Sequence, residues 1–388
     1  MFLLAVFNGL IWIKSIRVQF ALLFLYNDSM KSIQFLIKPV SAACNMECKY
    51  CFYKDVHSYQ QLSTPRDKLA FDTIRALIKQ SSSFDDVTFA FQGGEPTLAG
   101  LSFFETFVKE VEILSTRANI HYSFQTNGLL IDDDWCDFFK KNDVLVGISL
   151  DGPHEYHDRF RHTLNGKKTS QTILKNMENL KNHQVRFNIL TVLTSTLSKH
   201  PMQYFRWIKE QDFRYVQLIP CLPPLETDKN DYSLNPRQFA HFYKVLFRLW
   251  YKEFQNGQYY SISLFDNWIL LLQGRKPFQC GMTGNCTFQN VVESDGSVYP
   301  CDFYAYDKWY CGNILEESID QIQNSQTAKS FLNRESVLSN ACFDCPYQNY
   351  CHQNCQRCHM IYYDQSYCGL RDFLDESFLT FLKIAKTI

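Results

Sequence analysis

Residues 34–51 read QFLIKPVSAACNMECKYC, and everything that follows is organised around this stretch. A short strand, Gln34–Ile37, runs directly into a loop that carries Cys44, Cys48 and Cys51 as C-x3-C-x2-C. Zinc sites want four protein ligands, usually in pairs. Three Cys with no fourth nearby suit a [4Fe–4S] cluster with one iron left open, and an open iron can bind a small chelating molecule. Spacing alone still admits a zinc loop.

Outward from this loop, strand-like and helix-like segments alternate. Strands are predicted at Val87–Phe91, Ile120–Gln125, Leu145–Leu150, Arg186–Leu193 and Tyr215–Ile219. Helices are predicted at Arg66–Ser81, Leu101–Ser115, Asp132–Lys141, Ser170–His183, Pro201–Gln211 and Pro236–Gly257. With Gln34–Ile37 this makes six strand–helix steps. Regular alternation implies a parallel sheet with right-handed crossovers. Six units fit an open, partial (β/α)6 barrel of α/β class rather than the full eight. Gln92-Gly93-Gly94-Glu95-Pro96, Thr126-Asn127-Gly128 and Asp151-Gly152-Pro153 each follow a strand, where barrel chemistry sits.

Near Lys276 the pattern changes, and up to Leu370 the chain is Cys-rich and turn-rich. Of 15 Cys, ten lie between Cys280 and Cys368 and three between Cys44 and Cys51. That total falls below the roughly 8–10% of a disulfide scaffold, and the clustering favours metal. Cys280, Cys286, Cys301, Cys342, Cys345, Cys351, Cys355 and Cys368 form an array of eight, enough for two fully ligated [4Fe–4S] clusters. One or two structural zincs are the alternative. The expected layout is an apolar extension (1–29), the barrel (30–275), a Cys-rich domain (276–370) and a closing amphipathic helix (371–388).

The chain has 388 residues, 46% hydrophobic and 20% charged, which supports a large core and argues against bulk disorder. Lys plus Arg number 39 against 40 for Asp plus Glu. A net charge of -1 lacks the basic footprint of a nucleic-acid binder. In residues 1–29, Lys14 and Arg17 split two apolar runs, each short of the roughly 20 residues a bilayer span needs. The stretch is also a poor signal peptide. An over-long start, with translation beginning at Met30, is expected; a packing or membrane helix and a targeting segment are the alternatives. A thiolate-rich enzyme belongs in a reducing compartment, so a cytoplasmic protein off the membrane is expected.

The triad with Tyr50 before its last Cys resembles the signature of radical S-adenosylmethionine (SAM) enzymes, and Gly93-Gly94-Glu95-Pro96 resembles their SAM-contacting segment. The eight-Cys array resembles the SPASM domain of radical SAM peptide modifiers. That resemblance implies an auxiliary cluster I on Cys280, Cys286, Cys301 and Cys355, and a cluster II on Cys342, Cys345, Cys351 and Cys368. With the triad it implies three [4Fe–4S] clusters. Cys136, Cys221, Cys311 and Cys358 are left over, and Cys358 is expected to be an unligated thiol beside the cluster.

The resemblance narrows to the anaerobic sulfatase-maturating enzymes over Met30 to Ile388. It is carried by Leu36-Ile37-Lys38-Pro39, Cys44 to Tyr53, FAFQGGEPTLAGL (89–101), QTNGLLID (125–132), VGISLDGP (146–153), VVESDGSVYPCD (291–302) and Cys301-Asp302-Phe303-Tyr304 followed by Asp307-Lys308-Trp309. It implies oxidation of a Cys or Ser, within a C/S-x-P/A-x-R motif of a sulfatase, to Cα-formylglycine. Asp302 would be the base; a turn or hydrogen-bonding residue beside a ligand Cys is the bland alternative. SAM contacts would be Tyr50, Gly94, Ser149, Arg161 and Leu222, with a solvated helix charge the alternative for Arg161. Pro223 stands where the family usually has Asp, and the Cys355–Cys368 gap is short. A low-potential donor such as flavodoxin or ferredoxin and a monomeric enzyme are expected. The rival functions are another SPASM maturase, forming thioether or carbon crosslinks, and a non-catalytic metal-bound scaffold.

Overall fold

The computed structural model describes residues 31–61, 69–114, 118–227, 230–335 and 339–388. The apolar stretch 1–29, the start at Met30 and the first residues of the expected helix Arg66–Ser81 lie outside them. Six strands pair in parallel and in chain order: β1 (Ser32–Ile37), β2 (Asp86–Phe91), β3 (Asn119–Thr126), β4 (Leu145–Ser149), β5 (Phe187–Leu193) and β6 (Tyr215–Pro220). The helices Phe71–Ser81, Leu101–Leu114, Asp133–Lys141, Ser170–Asn182 and Pro201–Glu210 connect them. The first of these begins at Phe71. Leu69, expected inside it, is buried and donates its N–H to the Pro39 carbonyl at 2.7 Å, so it is tied to the chain after β1.

Phenylalanine fills the space between strands and helices. Phe89 lies 6.0 Å from Phe35 across β1 and β2 and 5.1 Å from Phe107 of a covering helix. Phe104 meets Phe91 at 5.0 Å and Phe124 at 4.9 Å, ring edge to face. Such pairs add roughly 0.5–1.5 kcal/mol beyond their area burial.

The sheet does not stop at six strands. β7 (Ser261–Ile262) joins β6 in parallel, and at the other edge β8 (Val291–Val292) pairs in parallel with β1. β9 (Ser297–Tyr299) and β10 (Gly312–Asn313) follow antiparallel, giving the order β10-β9-β8-β1-β2-β3-β4-β5-β6-β7. The boundary expected near residue 276 is therefore no break in the sheet. Leu36 N–H donates to Asn290 O at 3.0 Å and Lys38 N–H to Val292 O at 2.8 Å. The Cys-rich segment thus satisfies the backbone edge that β1 would otherwise expose.

The helix Pro236–Gln255 opens with an Asn235/Gln238 capping box and Pro at its first turn. Its apolar stripe takes the closing helix Gly369–Thr387, with Phe247 on Phe381 at 4.8 Å and Arg248 forked onto Glu376 at 2.5 and 2.6 Å. Among the described residues no helix is long and apolar enough to cross a membrane.

Candidate active site

The carboxyl ends of β1 to β6 face one edge of the sheet, and the Cys44 loop lies there against the segment after β2. Glu95 N–H donates to Ala43 O at 2.8 Å. Gly94 makes this approach possible: its φ is +43°, and a Cβ would stand 2.2 Å from Ala43 O. Glu95 is fully buried yet satisfied. It accepts from Thr97 N and Oγ1, from Thr126 Oγ1 and from Asn127 N at 2.7–3.0 Å, tying the ends of β2 and β3 together. Asn127 Nδ2 then donates to Asn45 Oδ1 at 2.7 Å, beside Cys44.

After β4 the chain places Asp151, buried, at the centre of a second cluster. Its Oδ2 accepts from Arg161 Nε at 3.0 Å and from the Tyr50 hydroxyl, and its Oδ1 accepts from Val192 N at 2.9 Å. Arg161 Nη1 reaches Cys48 Sγ at 3.8 Å, and its guanidinium lies 5.5 Å from the Tyr50 ring centroid. Arg161 is thus a buried, paired group and no solvated helix charge. Beneath it, His157 accepts the Asp151 N–H on Nδ1 (3.2 Å) and pairs with Thr169 Oγ1 through Nε2 (2.9 Å). Burial pushes its pKa down to about 4, so the ring is neutral. Ser149, the last residue of β4, is buried; Leu222, just after β6, is partly buried against the core.

The β8–β9 hairpin brings Glu293 and Asp302 to the end of β1. Lys38 Nζ lies 2.9 Å from Glu293 Oε1 and 3.3 Å from Asp302 Oδ1. Its chain passes over Gly93, where a Cβ would stand 2.5 Å from Lys38 Cγ. Asp302 Oδ2 accepts from Tyr53 OH and from Gln92 Nε2, both at 2.8 Å, and Asp302 N–H donates to Gln289 Oε1 at 3.0 Å. The two carboxylates share one ammonium but differ. Burial raises Asp302 above the usual carboxylate range although Lys38 and Tyr53 pull it down. Burial also works against ionised Glu293, but Lys38, Ser41 and Gln60 outweigh it and hold Glu293 below that range. Divergent environments of this kind separate a base from a fixed anion.

The ligand-type thiols fall into three neighbourhoods. Cys280, Cys286, Cys301 and Cys355 interact electrostatically as one set. Cys342, Cys345, Cys351 and Cys368 line one pocket, together with Tyr347, Tyr362 and Tyr363. Cys44, Cys48 and Cys51 form a third group. A quartet of thiols around one space fits an iron–sulfur cluster by donor chemistry. Cys136, Cys221, Cys311 and Cys358 are all buried, and Cys358 lies against Cys355.

A family model for the Radical SAM superfamily matches residues 39–208, and one for an iron-sulfur cluster-binding domain (SPASM) matches 280–346. The cysteine-type anaerobic sulfatase-maturating enzyme of Clostridium novyi is 40% identical over 333 residues, 84% of this chain and 89% of its own. The chain belongs to the anaerobic sulfatase-maturating enzymes. The cysteine-type enzyme of Clostridium perfringens is 38% identical over 92% of this chain and all of its own. The serine-type enzyme of Bacteroides thetaiotaomicron is 28% identical over 86% of this chain and 84% of its own. A solved structure described as native anSMEcpe with bound AdoMet and Kp18Cys peptide superposes with a TM-score of 0.85 at 36% identity, covering 92% of this chain and all of that one. As a radical SAM enzyme of this family, an oxidoreductase, the chain binds SAM and iron–sulfur clusters.

For this sulfatase-maturating enzyme, sequence reasoning placed Gln92 and Asp151 at strand ends without giving them a role, and did not single out Lys38, Tyr53, His157 or Glu293. Most stand inside the quoted segments, such as Lys38 in LIKP, Gln92 in FQGGEP and Glu293 in VVESDG. The signal of Lys38, Gln92, Asp151 and Glu293 is a polar or charged residue at the end of a strand, whereas Tyr53 and His157 stand in the short helices Phe52–His57 and His154–Phe160. Pro223, the departure noted after Leu222, accepts from Arg357 Nη2 at 2.5 Å, so a Cys-rich-segment arginine is anchored on its carbonyl.

Proposed function

We propose that this enzyme oxidises one residue of a sulfatase polypeptide, within C/S-x-P/A-x-R, to Cα-formylglycine, with Asp302 as the base. The carrying observation is the placement of Asp302. It follows Cys301 of one thiol quartet, and it accepts from Tyr53, two residues after Cys51 of the triad. A substrate side chain between the two groups has this carboxylate as its proton acceptor.

SAM, when bound, would supply a 5′-deoxyadenosyl radical able to take one hydrogen from the target Cβ. The residues of this chain do the rest. Tyr50, Gly94, Ser149, Arg161 and Leu222 hold SAM, with Asp151 fixing Tyr50 and Arg161. Asp302 takes the thiol or hydroxyl proton. A free thiol has a pKa near 8.5, so a carboxylate raised by burial can assist its loss. The substrate then gives up one electron and gains a C=S or C=O double bond; water converts a thioaldehyde to the aldehyde.

Three [4Fe–4S] clusters are proposed, on Cys44/Cys48/Cys51 and on the two quartets. The cysteine-type relatives share 38–40% identity against 27–28% for the serine-type ones, so cysteine is the proposed target. A low-potential flavodoxin or ferredoxin as donor, a cytoplasmic location and a monomeric state complete the reading. The test is anaerobic incubation with SAM, a reductant and peptides bearing C-x-P-x-R or S-x-P-x-R, followed by mass. Formylglycine is the expected product. A crosslinked peptide would move the chain to the other maturases, and no SAM cleavage at all would leave a scaffold.

A further inference from the structure

Outside the Asp302 network, among the described residues, one charged side chain touches a ligand-type thiol of the Cys-rich segment and has no part in the reading above. Arg334 follows the helix Gln326–Leu332. Its Nη2 donates to Cys286 Sγ at 3.4 Å. Its Nη1 donates to Phe331 O at 2.8 Å and its Nε to Gln356 Oε1 at 2.8 Å. Gln356 Nε2 returns a bond to Arg334 O at 3.1 Å, and Gln356 is the residue after Cys355. The guanidinium carbon lies 3.6 Å from the Phe331 ring centroid, 4.8 Å from Tyr304 and 6.0 Å from Trp309. Each nitrogen of the fork therefore has an acceptor, and three aromatic rings stand around the cation.

We propose that Arg334 is a positioning residue for the redox chemistry: it raises the reduction potential of the cluster on Cys280, Cys286, Cys301 and Cys355, so that this cluster accepts the substrate's electron. The proposal rests on the formylglycine reading and deepens it. An arginine is charged at every working pH. A fixed positive charge and an N–H···S bond stabilise the reduced state of a cluster, because reduction adds negative charge where they point. The step served is a one-electron transfer. After Asp302 has taken the thiol proton, the Cβ-centred substrate radical loses one electron and its C–S bond becomes C=S. The cluster gains that electron, and no other atom moves. The electron consumed in SAM cleavage comes separately from the low-potential donor.

The packing could also have served only to anchor the loop before residue 336. A potential separates the two roles. Full-length protein would be reconstituted anaerobically as parent, Arg334→Gln and Arg334→Lys, its iron counted, and each cluster's midpoint read by EPR during redox titration. The expected result is full iron, one auxiliary midpoint shifted downward in Arg334→Gln, and the other unmoved. Arg334→Lys, which keeps charge but loses the fork, should shift the same midpoint less. More 5′-deoxyadenosine should form per formylglycine. An unchanged midpoint with full iron overturns the proposal, as does loss of the cluster in both variants, which would make Arg334 an assembly support. If only Arg334→Gln loses the cluster, a parental midpoint in Arg334→Lys overturns it and a lowered one upholds it. A separate control, Cys286→Ala in the parent, tests the underlying reading: no loss of iron would remove the cluster itself.

Discussion

Asp302 and His157 show how the same burial produces opposite uses of a titratable group. Asp302 is kept basic beside Lys38; its amide, Asp302→Asn, keeps size and hydrogen bonds but loses basicity. General-base catalysis contributes roughly 10²–10⁴-fold. Formylglycine per SAM consumed should fall by about that factor, with SAM cleavage and iron content unmoved, and more for Ser peptides than for Cys. Parental product rates from both peptides would assign the base elsewhere. His157 is kept neutral, and here the linkage runs through stability. Its pKa is about 4 folded against an ordinary 6.5, so between these values the unfolded chain binds the proton and the folded one does not. Stability is therefore lost as pH falls from 6.5 towards 4, by about 3 kcal/mol at 1.36 per unit. In His157→Gln that slope should flatten, seen as a smaller drop in denaturation midpoint between pH 6.5 and 4.5. The grouping of the cysteines was visible in the sequence because metal ligation restricts residue type and spacing. Lys38, Tyr53 and Gln92 were not, because each finds Asp302 only when segments more than 200 residues apart close on each other.

At the level of strands and helices, the six long strands were readable to within a residue or two, since each is a run of five to eight residues rich in β-branched and aromatic side chains, mostly apolar in β4 and mixed with polar residues in β3. β7, β8 and β10 have two residues each and β9 three, too short to carry any periodicity. Their placement is tertiary: β8 pairs where β1 has an open edge. The turn after β2 is readable for a different reason. Gly94 combines a left-handed φ with a backbone oxygen 2.2 Å from where a Cβ would be, whereas Gly166 has φ +75° and open space. Gly166→Ala should cost only the roughly 1–3 kcal/mol of backbone strain. Gly94→Ala must also push the Cys44 loop away. Misplacement by about 1 Å can cost 10²-fold in rate, so SAM cleavage should drop by about that much in Gly94→Ala and stay near parental in Gly166→Ala. Equal effects in the two would mean that strain alone, and not contact with the Cys44 loop, sets the requirement for glycine.

Across the whole molecule, the barrel and the Cys-rich segment are joined by one sheet and, through its interior, by Lys38 and Glu293, separated by 255 positions and each nearly inaccessible. Breaking a buried pair leaves an uncompensated charge, at about 3–5 kcal/mol; removing both partners costs far less, because desolvation had offset most of their attraction. Lys38→Met therefore should destabilise strongly, leaving Glu293 and Asp302 as two facing carboxyl groups without their cation. Lys38→Met combined with Glu293→Gln should recover at least half of the loss, a coupling expected only of groups in contact. If the two segments fold as one unit, Trp fluorescence and far-UV dichroism should lose signal at the same denaturant concentration in parent and variants alike. If they are independent, Lys38→Met should split the transition in two. A single transition that moves down in Lys38→Met and part of the way back in the double variant is what a continuous sheet demands. It would also mean that Asp302 and the thiols beside it lose their order together with the pairing of β1 and β8.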